Sequence, residues 1–255
     1  MLKNTLVVFI LFFSFYTAHA QTADSTLKTS SFSGSVGITN NGFAIIPTFS
    51  LNRPAAIINL SFRRNRFSFE PDIRLVSDAS KGGLVWWLRY RVIDQKKLSV
   101  RVGTHPAFSL IRKTVVDNGV ITEIIEMLRF AAFEVVPNYQ ILPNWGVGAM
   151  YLQGKGLQKH GPQDTKVLFL NTSISNLKIG GNLRFTLVPV VYFLNTDGFT
   201  GDYFTTTGII SHTKLPFTLG STINQTFNSN IPGNKDFMWN VTLSYVFNKQ
   251  YKLMK

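Results

Sequence analysis

An alternation of apolar and polar residues with a period of two runs through most of this 255-residue chain. It is clearest over Phe67–Leu75 and Trp239–Tyr245, where the two residue classes change places at almost every step. Successive side chains of a β-strand point to opposite faces, so the period predicts strands with one apolar and one polar face. No stretch of useful length has the helical period. The sequence therefore predicts an all-β protein of 12–14 strands.

The predicted strands have the length and the facial pattern of membrane strands. They average about ten residues, as in a tilted transmembrane strand, rather than the five or six of a soluble sheet. Aromatic and branched aliphatic residues fill one face, which suits lipid, and Arg, Asn, Thr, Ser and Glu occupy the other, which suits a wet lumen. A soluble sandwich or lipocalin-like barrel would place its polar residues outside. We predict a transmembrane antiparallel up-and-down β-barrel.

The N-terminus has the pattern of a secretory signal peptide. Lys3 supplies the positive charge, Leu6–Tyr16 is an apolar run too short to span a bilayer, and Ala18 and Ala20 are small residues before the expected cleavage site at Gln21. A location in the cell outer membrane follows. The predicted parts are a signal peptide (1–20), a polar lead-in (21–31), the barrel (32–247) and a periplasmic tail (248–255).

Composition excludes several classes of function. The absence of cysteine excludes a disulfide scaffold, a thiol nucleophile and a cysteine-based metal site. The 26 basic residues outnumber the 13 acidic ones, but they are scattered without a dense run, so nucleic acid is not an expected partner. For a barrel, the nearer anionic partner is the phosphate of lipopolysaccharide, beside the lipid bilayer itself. No cofactor and no metal site are predicted.

The last predicted strand resembles a known targeting signal. Asn240–Phe247 is similar to the C-terminal assembly signal of gram-negative outer-membrane β-barrels, with Asn240 at the polar position and Tyr245 and Phe247 as the final pair. Thr242 stands where glycine is usual, and residues 248–255 follow the expected end. The resemblance implies a gram-negative outer-membrane β-barrel that the barrel-assembly machinery inserts.

Charged side chains concentrate on the face predicted to line the lumen. Rings of arginine favour anions in a pore, but arginines can also pair with acids and fill a narrow barrel. Two hypotheses stay open here: a passive channel for small solutes with a preference for anions, and a closed structural or assembly barrel that anchors an envelope partner. The predicted lining residues are Arg74, Arg89, Arg91, Arg101, Arg184, Glu70 and Asp72.

Two further residue sets follow from the predicted topology. With both termini periplasmic, Asn40–Gly42, Arg63–Arg66 and Asp94–Lys96 are predicted as outer connections, as is the longer Gly154–Thr165. Basic residues near them form a predicted lipopolysaccharide-binding rim: Arg63, Arg64, Arg66, Lys155 and Lys159. Five aromatic residues are predicted to form membrane girdles, with sugar binding as the alternative: Trp86, Trp145, Tyr151, Trp239 and Tyr245.

A third hypothesis is an outer-membrane lipid hydrolase, which would need a serine–histidine arrangement. Apart from His19 in the predicted signal peptide, the histidines are His105, His160 and His212, which stand in three separate places, and none belongs to a recognisable catalytic motif. We therefore predict no catalytic residue and no enzyme activity.

Overall fold

The computed structural model describes residues 29–46, 49–117 and 120–252, which form a closed barrel of twelve strands. Each strand pairs antiparallel with its neighbour in the chain, and β12 pairs with β1. The predicted all-β up-and-down barrel is confirmed, with twelve strands. They are β1 (Thr29–Thr39), β2 (Ala55–Arg64), β3 (Phe67–Val76), β4 (Lys81–Asp94), β5 (Leu98–Asp117), β6 (Val120–Leu142), β7 (Trp145–Gly156), β8 (Asp164–Gly180), β9 (Leu183–Thr196), β10 (Phe199–His212), β11 (Phe217–Ser229) and β12 (Phe237–Lys252).

The predicted signal peptide and residues 21–28 lie outside the described residues, as do Asn118, Gly119 and residues 253–255. No helix within the described ranges is long and apolar enough to cross a membrane.

The alternation sorts side chains between the outer surface and the lumen. On β12, Trp239 and Leu243 are about half exposed on the outer face, whereas Asn240, Thr242 and Ser244 line an internal cavity. The five aromatic residues of the predicted girdles are all exposed large side chains on the outer face. The last strand continues beyond its predicted end at residue 247 and stops at residue 252.

The strand directions define two ends of the barrel, for which we use fixed names. The terminal end holds the start of β1 and the end of β12, and the loop end lies opposite. The connections that follow β1, β3, β5, β7, β9 and β11 lie at the loop end; those that follow the even-numbered strands up to β10 lie at the terminal end.

In the sequence, Phe43, Ile45, Phe49 and Leu51 continue the alternation and predict a further strand. The described residues there form no strand, and this corrects two predicted connections. Pro47 cannot donate to a strand ladder, and the Ser50 hydroxyl accepts from the Ala44 N–H and donates to the Ala44 carbonyl, both at 2.8 Å. Residues 40–46 and 49–54 therefore belong to one connection at the loop end. With one strand fewer, Arg63–Arg66 and Asp94–Lys96 lie at the terminal end, opposite to the prediction.

The β5–β6 pair extends beyond the barrel as a two-stranded ribbon. The pairing of β5 with β6 is continuous from Leu98 to Asp117 on β5. The pairing of β5 with β4 extends only as far as Ile111, and the pairing of β6 with β7 only as far as Phe130. In this ribbon, residues 112–117 and 120–129, most side chains over 112–116 and 120–129 are exposed on both faces, and Leu128 is buried. The pairing of β5 with β6 keeps one register along its whole length, without a bulge.

Four prolines interrupt the ladder without shifting its register. At Pro71 the β2–β3 pairs pass from Asn59↔Asp72 to Phe62↔Phe69, with two steps missing. Proline has no N–H, so one ladder bond is lost and one carbonyl of the adjacent strand has no donor there. The same two-step gap occurs at three further prolines, all at positions whose alternation points outward: Pro106, Pro137 and Pro189.

Candidate functional site: the lumen and its two cavities

The connection after β1 folds into the barrel. We call its described residues, 40–46 and 49–54, the inward segment. Ile45 and Ile46 pack against buried side chains of the barrel, and Phe49 lies 5.5 Å from Phe130, ring centre to ring centre. The buried cluster comprises Ala132, Leu152, Val167, Phe169, Tyr192, Leu194, Tyr203 and Ile231. Because these residues belong to β6–β10 and the connection after β11, the segment reaches from the β1–β2 side to the opposite wall.

Hydrogen bonds and one ion pair hold the base of the inward segment. The Gly42 N–H donates to the Arg53 carbonyl, and the Leu51 N–H donates to the Gly42 carbonyl, both at 2.9 Å. Arg53 reaches Asp78, in the connection after β3, at 3.0 Å. Hydrogen bonds from Ser80, together with Arg53, lower the pKa of Asp78 to about 2. The segment is therefore a folded element with a closed base.

Beneath the inward segment lies the outer cavity, with a volume of about 480 Å³. Phe43, Ile45 and Phe49 of the segment cover it. The barrel wall around it is largely apolar over β7–β9 and carries hydroxyl and amide groups over β10–β12. This volume is typical of small-molecule sites.

The inner cavity lies nearer the terminal end and has a volume of about 630 Å³. Ser33, Ser35, Ser61 and Asn248 give its wall a polar character. Three residues line both cavities, so the two are adjacent along the barrel: Asn59, Asp72 and Trp87.

A buried ion cluster centred on Arg89 lies beside both cavities. The Arg89 Nε donates to Glu134 Oε1 at 2.5 Å and its Nη2 to Glu134 Oε2 at 3.1 Å, while its Nη1 pairs with Glu70. The Glu134 side chain is fully buried. The Arg89 guanidinium carbon also lies 4.1 Å from the centre of the Trp87 ring. Arg89 is thus a neutralised, fixed group rather than a free cation.

Two other arginines that were predicted to line the lumen also form ion pairs with acidic side chains. Arg74 Nε and Nη2 donate to the two carboxylate oxygens of Asp72 at 3.0 and 2.8 Å. Arg91 lies 3.0 Å from Asp94. Both pairs reduce the free positive charge that the sequence had suggested for the lumen.

Arg101 and Arg184 have different surroundings. Arg101 shares the lumen face of β5 with His105 and makes no ion pair within 4.0 Å of any described residue. Arg184 lies near the terminal end of β9, and its Nη1 donates to the Leu183 carbonyl at 3.0 Å.

The predicted lipopolysaccharide-binding residues do not form a single rim. Lys155 and Lys159 lie at the loop end, but Arg63, Arg64 and Arg66 lie at the terminal end. At the loop end, Lys155 and Lys166 both contact Asp164, at 3.0 and 3.1 Å.

The three histidines remain far apart in the fold. His105 is buried in the lumen wall with its ring centre 3.9 Å from that of Trp87. His160 lies in the connection after β7 and contacts Glu126 at 2.8 Å, and His212 ends β10 at the terminal end. No group of three or more metal-ligating side chains occurs in the parts of the chain that the structure describes.

The sequence prediction missed the apolar part of the lumen. Val188 and Val190 face the outer cavity, while Leu187 and Val191 on the same strand face outward. Both faces of β9 are apolar at this level, so alternation of hydrophobicity could not separate them. The available signal was the apolar run itself, which is typical of a strand covered on both faces.

Comparison with known proteins supports the architecture. No protein-family model matches the chain, and no curated protein matches it either. Among solved structures it is similar to the KdgM porin, one structure of which is described as in complex with disordered oligogalacturonate, with a TM-score of 0.51, 11% identity, and coverage of 85% of this chain and 99% of that one. It is also similar to the COG4313 outer membrane channel from Pseudomonas putida F1, with a TM-score of 0.50, 11% identity, and coverage of 87% and 95%. The chain has the fold of outer-membrane β-barrel proteins.

Proposed function

We propose that the protein is a passive channel of the bacterial outer membrane for small solutes. The observation that carries this proposal is the pair of adjacent cavities inside a closed barrel, with volumes of about 630 and 480 Å³. The inward segment forms the constriction at the loop end. The fold similarity to a porin and to an outer membrane channel supports the proposal.

The charge of the lumen supports a modest preference for anions. Arg63 and Arg101 occupy lumen-facing positions on β2 and β5, and neither makes an ion pair within 4.0 Å of a described residue. The other lumen arginines near the cavities are paired with acids. Because Arg89 binds both Glu70 and Glu134, the four arginines near the cavities exceed the acids there by one charge, and this excess attracts anions to the pathway.

Planar-bilayer recordings test both parts of this proposal. We expect ion conductance. Under a salt gradient, we expect a reversal potential whose sign shows that anions are more permeant than cations. The R63Q/R101Q double variant should lose that preference. R64Q is the matched control, because Arg64 adjoins Arg63 but faces the outside of the barrel. Absence of conductance would overturn the channel, and cation preference in the unaltered protein would overturn the anion preference.

A closed structural barrel is the second candidate, and the ion pairs of the lumen favour it. Arg89 with its two glutamates, and Arg74 with Asp72, place ion-paired charges on the inner wall. This candidate predicts that the barrel does not conduct ions and that it co-purifies with a protein of the envelope.

We further propose that Lys155 and Lys159 contact lipopolysaccharide phosphate at the loop end. The K155Q/K159Q variant should then bind purified lipopolysaccharide more weakly.

A further inference from the structure

The outer cavity has an apolar side formed by two different parts of the chain. On the barrel wall it is lined by Trp87, Met150, Leu152, Phe169, Val188 and Val190. The inward segment adds Phe43, Ile45 and Phe49 from above. An aqueous pore for strongly hydrated solutes would not need such a lining, because apolar surface facing the pathway is costly to keep wet.

The opposite side of the cavity carries neutral polar groups on three neighbouring strands. The Thr207 and Thr222 hydroxyls are hydrogen-bonded at 2.9 Å, and the Thr222 N–H donates to the Asn240 side-chain oxygen at 3.1 Å. Thr242 and Ser244 continue this polar strip. Hydroxyl groups both donate and accept, so the strip can hydrogen-bond a solute hydroxyl or amide.

Charge within the outer cavity is internally compensated. Its charged pair, Asp72 and Arg74, is joined by two hydrogen bonds. The unpaired Arg101 lies four residues from His105 along β5, about 13 Å away at the usual rise of a strand. The Arg89–Glu134 ion pair lies over Gly103, between them. A carboxylate in the cavity would therefore lose water without gaining a free cation.

We propose that the outer cavity is a binding site for a small, uncharged, amphipathic solute: an apolar ring or short chain that carries a hydroxyl or amide group. The apolar body packs between the inward segment and β7–β9, and the polar group faces β10–β12. As an assignment of the transported solute this rests on the proposed channel function, whereas binding in the cavity does not require conductance.

The four tryptophans provide a direct test. Trp87 lines the cavity, whereas Trp86, Trp145 and Trp239 are exposed on the outer face. Two variants, each with all but one tryptophan changed to Phe, would retain either Trp87 or Trp239. Titration of these proteins in detergent with 4-(4-bromophenyl)butan-1-ol uses bromine as a short-range quencher. We expect saturable quenching of Trp87 and only linear quenching of Trp239, which reports partition of the probe into detergent.

Two substitutions in the variant that retains Trp87 locate the site. V190F fills the cavity and should abolish the saturable phase, while V191F, on the outer face of the same strand, should preserve it. Folding of each is checked by heat-dependent gel mobility. T222V removes a hydroxyl from the polar strip and should weaken binding several-fold without filling the cavity.

Competition by unlabelled compounds tests the solute class. 4-Phenylbutan-1-ol should displace the brominated probe, whereas 4-phenylbutyrate and glycerol should displace it poorly. Equal displacement by 4-phenylbutyrate, or linear quenching of Trp87, would overturn the proposed site. Bilayer recordings of the same preparation separate the two proposals. Conductance without saturable binding would support the channel and contradict the binding site. Saturable binding without conductance would support the binding site and contradict the channel.

Discussion

The outer and inner halves of the lumen differ sharply, although the same twelve strands build both. In the outer half, valine, leucine and phenylalanine side chains point inward beneath the inward segment. In the inner half, serine, asparagine, glutamate and arginine line the wall. Apolar side chains can face the interior of a membrane barrel where another part of the same chain removes them from water. The character of this lumen therefore depends on the inward segment as well as on the strands.

Removing the tip of the inward segment should have the largest effect on this contrast. We expect replacement of residues 43–51 by a short Gly-Ser linker to raise single-channel conductance several-fold, because it opens the apolar constriction. The matched control replaces residues 157–163, which lie at the same end but line neither cavity. Unchanged conductance in the first variant would show that the segment does not restrict the pathway.

The ion cluster of the inner half should make a large contribution to stability. R89M leaves the fully buried Glu134 carboxylate without its partner, and we expect the free energy of unfolding to fall by about 3–5 kcal/mol. Unfolding by urea in lipid vesicles, followed by tryptophan fluorescence, measures the change. Adding E134Q to R89M should recover part of the loss, since the uncompensated charge is gone. E123Q, on the exposed ribbon, is the control and should leave the stability unchanged.

Substitutions at the prolines that interrupt the strand pairing test whether the barrel wall, as well as the lumen, differs in stability between the outer and inner halves. P106V, beside the outer cavity, and P137V, nearer the terminal end, each restore one backbone donor that faces an adjacent carbonyl. We expect each to raise the free energy of unfolding by about 1 kcal/mol. Equal increases in the free energy of unfolding would show that the two halves differ in their lumen side chains and not in the pairing of their strands. A loss at either position would mean that its carbonyl already has another donor or that valine does not fit.

The smallest effect is expected at the base of the inward segment. D78N removes the ion pair with Arg53, so the segment should fluctuate more and the channel current should become slightly noisier. The pKa of Asp78 in the folded protein, about 2, is below its ordinary value, so its charge stabilises the segment above about pH 4 and this contribution disappears as the pH falls towards 2. The difference in current noise between D78N and the unaltered protein should therefore persist above about pH 4 and disappear as the pH falls towards 2. A noise difference that disappears already between pH 7 and 5 would contradict this expectation.

Most of the barrel was predictable because lipid imposes a strict alternation, but the lumen was not. The alternation of β12 correctly separated Trp239 and Leu243 from Asn240 and Thr242. Residues 43–51 imitate the same alternation, and only Pro47 argued against a strand. The partners of Arg89 illustrate a different difficulty: Glu134 is 45 residues away in sequence and reaches it only through the register of β4, β5 and β6.

Cysteine accessibility tests the division of the lumen most directly, because the chain contains no cysteine of its own. M150C places a thiol in the outer cavity and S61C one in the inner cavity. In reconstituted protein, a charged, membrane-impermeant methanethiosulfonate added at the loop end should modify M150C slowly, and much faster once residues 43–51 are replaced by the Gly-Ser linker. Added at the terminal end, it should modify S61C at the same rate in both backgrounds. Equally fast modification of M150C with and without the tip of the inward segment would contradict the account.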